Sequence, residues 1–332
     1  MLPPDSAAPN LVSHIQRHST EDGPGIRTTV FCMGCPMHCP WCQNPDSMSR
    51  KAQLIWRGTR CVGASDCLSV CPESALRRTP QGIVIDRGRC DACGDCVAAC
   101  PAAALEILGR KMSVADVVQE AVRDKVFYER SGGGVTLSGG DPVAQPDFCL
   151  AIMESLKRAG VHLALDTCGG VSWQRLEPLV GLADLVLFDV KTADEEAHLR
   201  YTGVPLRLVL NNARAIARLG RPMWIRTPII PDFTDSEESI RRIARFIRKE
   251  LPTVERYELL AYNNLGRSKY ERLGLEDPLA DRRLMTSETM ERLSRSASAE
   301  GVPSVRWSGM TRSEDAAEIA QDQCQGDMGV SV

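Results

Sequence analysis

The sequence predicts an α/β protein built on a parallel sheet and interrupted near its start by a small cysteine-rich unit. Three observations predict this. From residue 113 onward, helix-like and strand-like stretches alternate, and repeated βα units give a parallel sheet with right-handed crossovers. Ahead of them, residues 26–31 form an apolar, β-branched run of strand type that leads into Cys35, Cys39 and Cys42. Between the two, residues 54–108 hold Cys61, Cys67, Cys71, Cys90, Cys93, Cys96 and Cys100.

The bounds fit a metal-binding α/β enzyme. The chain has 332 residues, enough for one large domain or two smaller ones. Its net charge of -3 gives no reason to expect nucleic acid or an anionic membrane as a partner. No apolar run approaches the roughly 20 residues that span a bilayer. Residues 1–10 lack the basic and apolar regions of a signal peptide, and residues 1–12 read as a disordered lead-in. The clustered spacing of the 14 cysteines, without an export signal, favours metal ligands in a reducing cytoplasm over disulfides.

The first cysteines are spaced C-x3-C-x2-C directly after the first strand. Pro36, Pro40 and Pro45 keep that segment out of helix and sheet. Three thiolates hold three irons of a cubane and leave the fourth open to a substrate, whereas a four-cysteine cluster only passes electrons. The alternative is zinc with His38 as fourth ligand. Before the strand, Asp22-Gly23-Pro24-Gly25-Ile26-Arg27 makes a turn whose backbone can approach another molecule closely. Trp41, beside Cys42, is a core residue or a flat surface for an adenine.

Residues 54–108 read as a separate unit with short strands at 53–56 and 83–86. Cys90, Cys93, Cys96 and Cys100-Pro101 form a complete C-x2-C-x2-C-x3-C-P run. In this bacterial ferredoxin pattern the fourth cysteine crosses to the other cluster. Cys71 is therefore expected with Cys90, Cys93 and Cys96, and Cys100 with Cys61 and Cys67. The first set lacks its second cysteine, because Ala64 stands there. That set is expected to hold a [3Fe-4S] cluster, a [4Fe-4S] cluster completed by Ser65 or Asp66, or nothing.

In the remainder, residues 113–130 read as a helix capped by Ser113. Strands follow near 135–137, 161–165, 184–188 and 223–226, and 256–260 reads as the last. Helices are expected to residue 159 and over 211–220 and 237–251. The strands end in Ser138-Gly139-Gly140-Asp141, Asp166-Thr167, Asp189-Val190-Lys191 and Arg226. Polar residues at the C-terminal ends of successive parallel strands mark where such sheets place their chemistry. Residues 312–332 are acidic and read as a disordered tail holding an unligated Cys324. Cys32, Cys149 and Cys168 read as small core residues.

The cysteine loop, the Asp22–Arg27 turn and the sequel Trp41-Cys42-Gln43-Asn44-Pro45 together resemble the radical S-adenosylmethionine (SAM) superfamily. Within it the chain is similar to the activating enzymes of glycyl radical enzymes, in their larger form with a ferredoxin-like insert. The resemblance runs from about residue 13 to 311. It implies a partial parallel (β/α)6 barrel over 13–53 and 109–311, with an inserted two-cluster ferredoxin-like α+β domain over 54–108. Cys35, Cys39 and Cys42 would hold a [4Fe-4S] cluster that chelates SAM. Gly139, Gly140 and Asp141 match a Gly-Gly-Glu segment that contacts the SAM amine. Asp166, Thr167 and Asp189 match a monovalent cation site, and Lys191 and Arg226 match residues near SAM. Ala261-Tyr262-Asn263 stands where the family has Pro-Tyr-His, so Asn263 replaces a histidine that contacts SAM. Asp22 lies in the turn that faces the partner's glycine loop. The implied protein substrate is a glycyl radical enzyme, and the implied electron donor a flavodoxin or ferredoxin. A radical SAM enzyme for a small molecule or peptide, and an iron–sulfur electron carrier, are the alternatives.

Overall fold

A computed structural model describes residues 10–313. Residues 1–9 and 314–332, with Cys324, lie outside the described residues. The strands are β1 (Leu11–Ser19), β2 (Arg27–Cys32), β3 (Gln53–Trp56), β4 (Leu76–Thr79), β5 (Gly82–Ile85), β6 (Leu105–Leu108), β7 (Arg110–Lys111), β8 (Gly134–Gly139), β9 (Leu163–Thr167), β10 (Leu185–Asp189), β11 (Met223–Ile229), β12 (Val254–Ala261) and β13 (Val305–Ser308). Nine of them form one sheet in the order β13-β12-β11-β10-β9-β8-β2-β1-β7. From β2 to β13 the neighbours are parallel, while β1 pairs antiparallel with both β2 and β7. β7 and β13 stand at opposite edges, so the sheet is open.

The helices are α1 (Asp66–Ser69), α2 (Asp95–Ala98), α3 (Val114–Val122), α4 (Lys125–Ser131), α5 (Pro146–Arg158), α6 (Trp173–Leu182), α7 (Glu195–Thr202), α8 (Leu206–Arg218), α9 (Glu237–Glu250), α10 (Arg267–Leu273) and α11 (Ser287–Ala299). In α9, Ile240, Ile243, Ala244 and Ile247 repeat at helical spacing and are buried, so one stripe faces the sheet. Ile152 and Leu156 of α5, Leu176 of α6 and Val209 and Ile216 of α8 join them in a single core. Helices thus cover one face of the sheet, and the strand ends carry the polar groups.

Four features depart from the sequence reading. β1 starts at Leu11, and Leu11 and Val12 are buried, so the ordered chain begins before residue 13. The single helix expected over 113–130 is two, because Asp124 turns its carboxylate to Arg17 and Thr28 instead of capping α4. β12 is not the last strand, since α11 returns the chain to a short, half-exposed β13. The parallel run therefore has seven strands.

Residues 53–108 form a second small core around Leu54, Leu76 and Leu105. β3 pairs with β6, and β4 with β5, as two separate two-stranded sheets. The unit sits on α10, where Ile55 and Leu108 meet Leu273. Arg87 pins this seat by donating to the carbonyls of Leu54 and Leu273, each at 2.5 Å. Residues 61–76 and 90–105 are a repeat at an offset of 29 residues, with Cys61, Asp66, Cys67, Cys71 and Pro72 matching Cys90, Asp95, Cys96, Cys100 and Pro101. The backbone repeats too. Gly63 and Ala92 have φ of +77° and +60°, Ser65 and Gly94 +74° and +95°, and Ser74 and Ala103 both +47°. In each half an amide donates to the last cysteine: Ala75 N to Cys71 Sγ at 3.3 Å, and Ala104 N to Cys100 Sγ at 3.2 Å.

Candidate active site

The strand ends converge on one cavity of about 300 Å³, the scale of a small-molecule site. Its walls include Asp22, Cys35, Cys39, Trp41, Cys42, Gly139, Gly140, Asp166, Thr167, Asp189, Lys191, Arg226 and Asn263. The C-x3-C-x2-C loop closes one side. It leaves β2 through Met33 and is fastened by Gly34 N to Ser47 O at 2.7 Å and Cys35 N to Met48 O at 3.1 Å. Amides of Met37 and Asn44 donate to the sulfurs of Cys35 and Cys42, both at 3.4 Å.

The opposite side is a chain of charges set by sheet register. Asp189 and Arg226 are directly paired across β10 and β11. Asp166 lies beside Leu187, two residues short of Asp189 on the same face. Arg226 Nε donates to Asp189 at 3.0 Å, and its Nη2 donates to Asp166. Lys191 Nζ donates to the other oxygen of Asp189 at 2.5 Å, and Ser138 donates to Asp166 at 2.7 Å. Two carboxylates and two cations make the set neutral. Burial pushes Asp166 up to about 6, with Arg226 pulling back and Asp189 adding to the push. For Asp189 burial also opposes charge, but Arg226 and Lys191 together hold its carboxyl below the usual range. Asp189 and Cys39 likewise outweigh burial at Lys191 and hold its ammonium charged.

Several expected site residues are placed differently. Asp141 is 1% exposed and is not among the cavity walls. Its carboxylate accepts from Val143 N, Thr167 Oγ1, Cys168 N and Cys168 Sγ at 2.9–3.1 Å. It ties the end of β8 to the end of β9 and offers no oxygen to the cavity. Gly139 and Gly140 do line it. Gly139 has φ +110°, and a Cβ there would lie 2.4 Å from Cys32 N, so the backbone excludes a side chain. Arg27 does not face outward with the rest of its turn. It is fully buried, donating to Thr136 Oγ1 at 2.6 Å and Val135 O at 2.8 Å. Asp22 does reach the cavity and accepts from Ser19 and Thr29 at 2.6 and 2.7 Å. Trp41 is 5% exposed and packs edge-on against Tyr201 and Phe233, with its Nε1 buried and unpartnered. It is at once a core residue and a cavity wall. Asn263 Oδ1 accepts from Leu265 N at 3.1 Å, leaving its amide NH2 as the available donor.

Ser138, at a strand end the sequence marks as polar, is a wall, and so is Cys168, which the sequence suggests as a core residue. Cys168 was read as core, yet its thiol lies against Cys35 as well as Asp141. Its position one residue past Asp166-Thr167, at the end of a site strand, was the available signal. Cys32 and Cys149 are fully buried, 3.5 Å apart.

The three loop cysteines suit an iron–sulfur cluster. All are free thiols. Burial pushes Cys39 up to about 11 and Cys42 up to about 12. The fit rests on geometry: three thiols share one wall, with the amides of Met37 and Asn44 turned to the sulfurs of Cys35 and Cys42, which would suit a cluster held at three corners. Among the described residues no three His, Cys, Asp or Glu side chains gather closely enough to hold a single metal ion. His38 is exposed and packs over Gly203, outside the cavity walls. In the insert, Cys96 has Cys90, Cys71 and Cys93 as electrostatic neighbours, and Cys67 has Cys100 and Cys61.

A family model described as the radical SAM superfamily matches residues 29–247. The chain is 40% identical over 266 residues to the trans-4-hydroxy-L-proline dehydratase activating enzyme of Clostridioides difficile, covering 79% of this chain and 87% of that one. It is 42% identical over 270 residues to the benzylsuccinate synthase activating enzyme of Thauera aromatica, covering 80% and 82%. In fold alone, a radical SAM methyltransferase from Sphaerobacter thermophilus matches with a TM-score of 0.52 at 13% identity, over 90% of this chain and 78% of that chain. The chain belongs to the radical SAM superfamily and, within it, to the glycyl radical enzyme activating enzymes. No helix among the described residues is long and apolar enough to cross a membrane.

Proposed function

We propose that this chain cleaves SAM in the cavity between the cysteine loop and the strand ends, and so generates a glycyl radical on a partner enzyme. The carrying observation is that Cys35, Cys39 and Cys42 share one cavity with the Asp166–Arg226–Asp189–Lys191 set. Cys35, Cys39 and Cys42 would hold a [4Fe-4S] cluster, which would supply the single electron needed for reductive cleavage of SAM to methionine and 5′-deoxyadenosine-level products.

The chain's own residues bind and orient. Lys191, held charged beside Cys39, meets the SAM carboxylate. Arg226 fixes Asp166 and Asp189, and these present acceptors to the amine and ribose. The backbone of Gly139 and Gly140 gives close approach without side chains, and Asn263 offers its NH2. Tyr262 and Trp41 supply apolar surface. A monovalent cation is proposed at Asp166, Thr167 and Asp189, beside Arg226 and Lys191. Asp22 reaches this cavity and also belongs to the turn proposed to meet the partner.

The sheet is proposed to curl as a partial barrel, because its strand ends from β2 to β12 all reach one cavity. Residues 54–108 are proposed as a two-cluster ferredoxin-like relay, supported by the repeat and the grouping of its thiols. The electron donor is proposed as a flavodoxin or ferredoxin, and the location as cytoplasmic. The test is anaerobic: reduced protein, SAM and a glycyl radical enzyme offered as the partner. The expected result is 5′-deoxyadenosine together with a glycyl radical EPR signal on the partner. Reduction without 5′-deoxyadenosine would leave only an electron carrier. Asp22→Asn keeps an acceptor for Ser19 and Thr29, and is expected to lower radical formation on the partner more than SAM cleavage. Equal loss would place Asp22 in the SAM site alone.

A further inference from the structure

The repeat in the insert is complete in its backbone and incomplete in its ligands. Ala64 stands at the position of Cys93, yet the loops around them share the same left-handed residues, Gly63 with Ala92 and Ser65 with Gly94. Ser65, unlike Gly94, has a Cβ, so its φ of +74° is strained. Arg78 steadies this loop: its Nη1 donates to Gly63 O at 3.1 Å and to Ser65 Oγ at 2.9 Å. The loop is thus folded as for a fourth ligand, with the thiol absent.

Neither neighbour is placed to replace it. Ser65 Oγ accepts from Arg78 and lies 3.3 Å from Gly63 O as its donor. Asp66 opens α1 as Asp95 opens α2. Asp95 lies next to Cys96 in a set that already has four thiols, so that helix position needs no ligand role. Meanwhile Cys61 and Cys67 open onto a cavity of about 360 Å³, walled also by Trp56, Ser65, Arg78 and Gly82. The Nε1 of Trp56 is buried there without a partner. Only Nη1 of Arg78 makes the two bonds above, and its Nη2 lies against Gly63. The space offers a small ligand one cationic group, the guanidinium of Arg78.

We propose that the cluster held by Cys61, Cys67 and Cys100 keeps one iron free of protein ligands, and that this iron takes a small anionic thiol from the cavity beside Arg78. Iron of this kind favours sulfur, and the guanidinium offsets the ligand's negative charge. The proposal rests on the two-cluster insert proposed above. It makes this cluster a second ligand-binding site, distinct from the one on Cys35, Cys39 and Cys42.

The test uses the full chain, reconstituted anaerobically, with Cys35, Cys39 and Cys42 all replaced by Ala so that only the insert is loaded. If that variant does not fold, the wild-type chain saturated with SAM serves, because SAM occupies the other open iron. The probe is 3-mercaptopropionate, read by EPR of the reduced protein and by iron content. Expected are about eight irons per triple-variant chain, and a signal that shifts with the thiol in a saturable way. Ala64→Cys should abolish the shift without lowering the iron content. Arg78→Ala should weaken half-saturation by about tenfold. About eight irons with no shift would mean a protein oxygen completes the site, which overturns the proposal. About seven irons with a three-iron signal, unchanged by added ferrous iron and thiol, would overturn it as well. About four irons would overturn the two-cluster insert itself.

Discussion

Arg226 is held between two carboxylates that its removal would leave side by side on one wall of the cavity. Arg226→Met is expected to cost about 3 kcal/mol of stability, near the low end of such losses because the cavity admits water. It should also abolish SAM binding, and urea denaturation with calorimetry reads both. Asp141 tests a different role. Its carboxylate is consumed inside the fold, so Asp141→Ala should lower stability by about 2 kcal/mol through unpaired groups at Thr167 and Cys168. SAM affinity should change far less than in Lys191→Met, which removes the cation proposed to meet the SAM carboxylate. A much larger loss of SAM affinity than of stability in Asp141→Ala would put its carboxylate on the ligand. The sequence showed that these acids and bases end successive strands. It could not show which oxygen faces the cavity, because that depends on the turn of one residue past the strand end and on hydrogen bonds from a neighbouring strand.

At the scale of elements, the turn between β1 and β2 is fixed by Gly25. Its φ is +67°, and a Cβ would meet Gly133 N and Ser131 O at 2.5 Å. Gly25→Ala should therefore displace the turn from the α4 end, lowering the melting temperature and glycyl radical formation together. The pairing of Arg17 with Asp124 fastens β1 to the start of α4, through two bonds of 2.7 and 2.5 Å. The Arg17 bond holds the Asp124 carboxyl below its usual range despite burial. A depressed folded pKa stabilises fully above the unfolded value of about 3.9 and is lost as pH falls through the folded one. Asp124→Asn should cost about 2 kcal/mol at pH 7. Its difference from wild type should shrink in acid below about pH 4, as followed by urea unfolding. A difference that stayed constant down to pH 2 would assign the loss to packing. The β-branched runs of β2, β8, β9, β10 and β11 were legible because both faces are buried. β1, β7 and β13 were not, since their exposed or polar residues carry no clear alternation and their pairing is decided by distant strands. The break at Asp124 was equally hidden, because its cause is Arg17, far away in sequence.

In the whole molecule, the insert, α10 and the cysteine loop form one connected stack. Arg87 joins the insert to Leu273, and Tyr270 of the same helix donates to Cys42 O at 3.2 Å. This stack gives the insert a fixed position relative to the loop, as a relay needs. The cysteine spacings marked out the loop and set residues 54–108 apart from the rest of the chain already in the sequence. The 29-residue repeat of backbone conformation, and what it says of Ala64, became clear only in the fold. The three cysteines of the loop, Cys35, Cys39 and Cys42, are proposed to make this cavity a place where SAM is cut. This is tested most directly by measuring 5′-deoxyadenosine from the reduced wild-type chain and from Cys39→Ala, with iron content read on the same samples. The account predicts 5′-deoxyadenosine from the wild type and none from Cys39→Ala, with about four irons lost and the insert's iron retained. Undiminished 5′-deoxyadenosine from Cys39→Ala would contradict it.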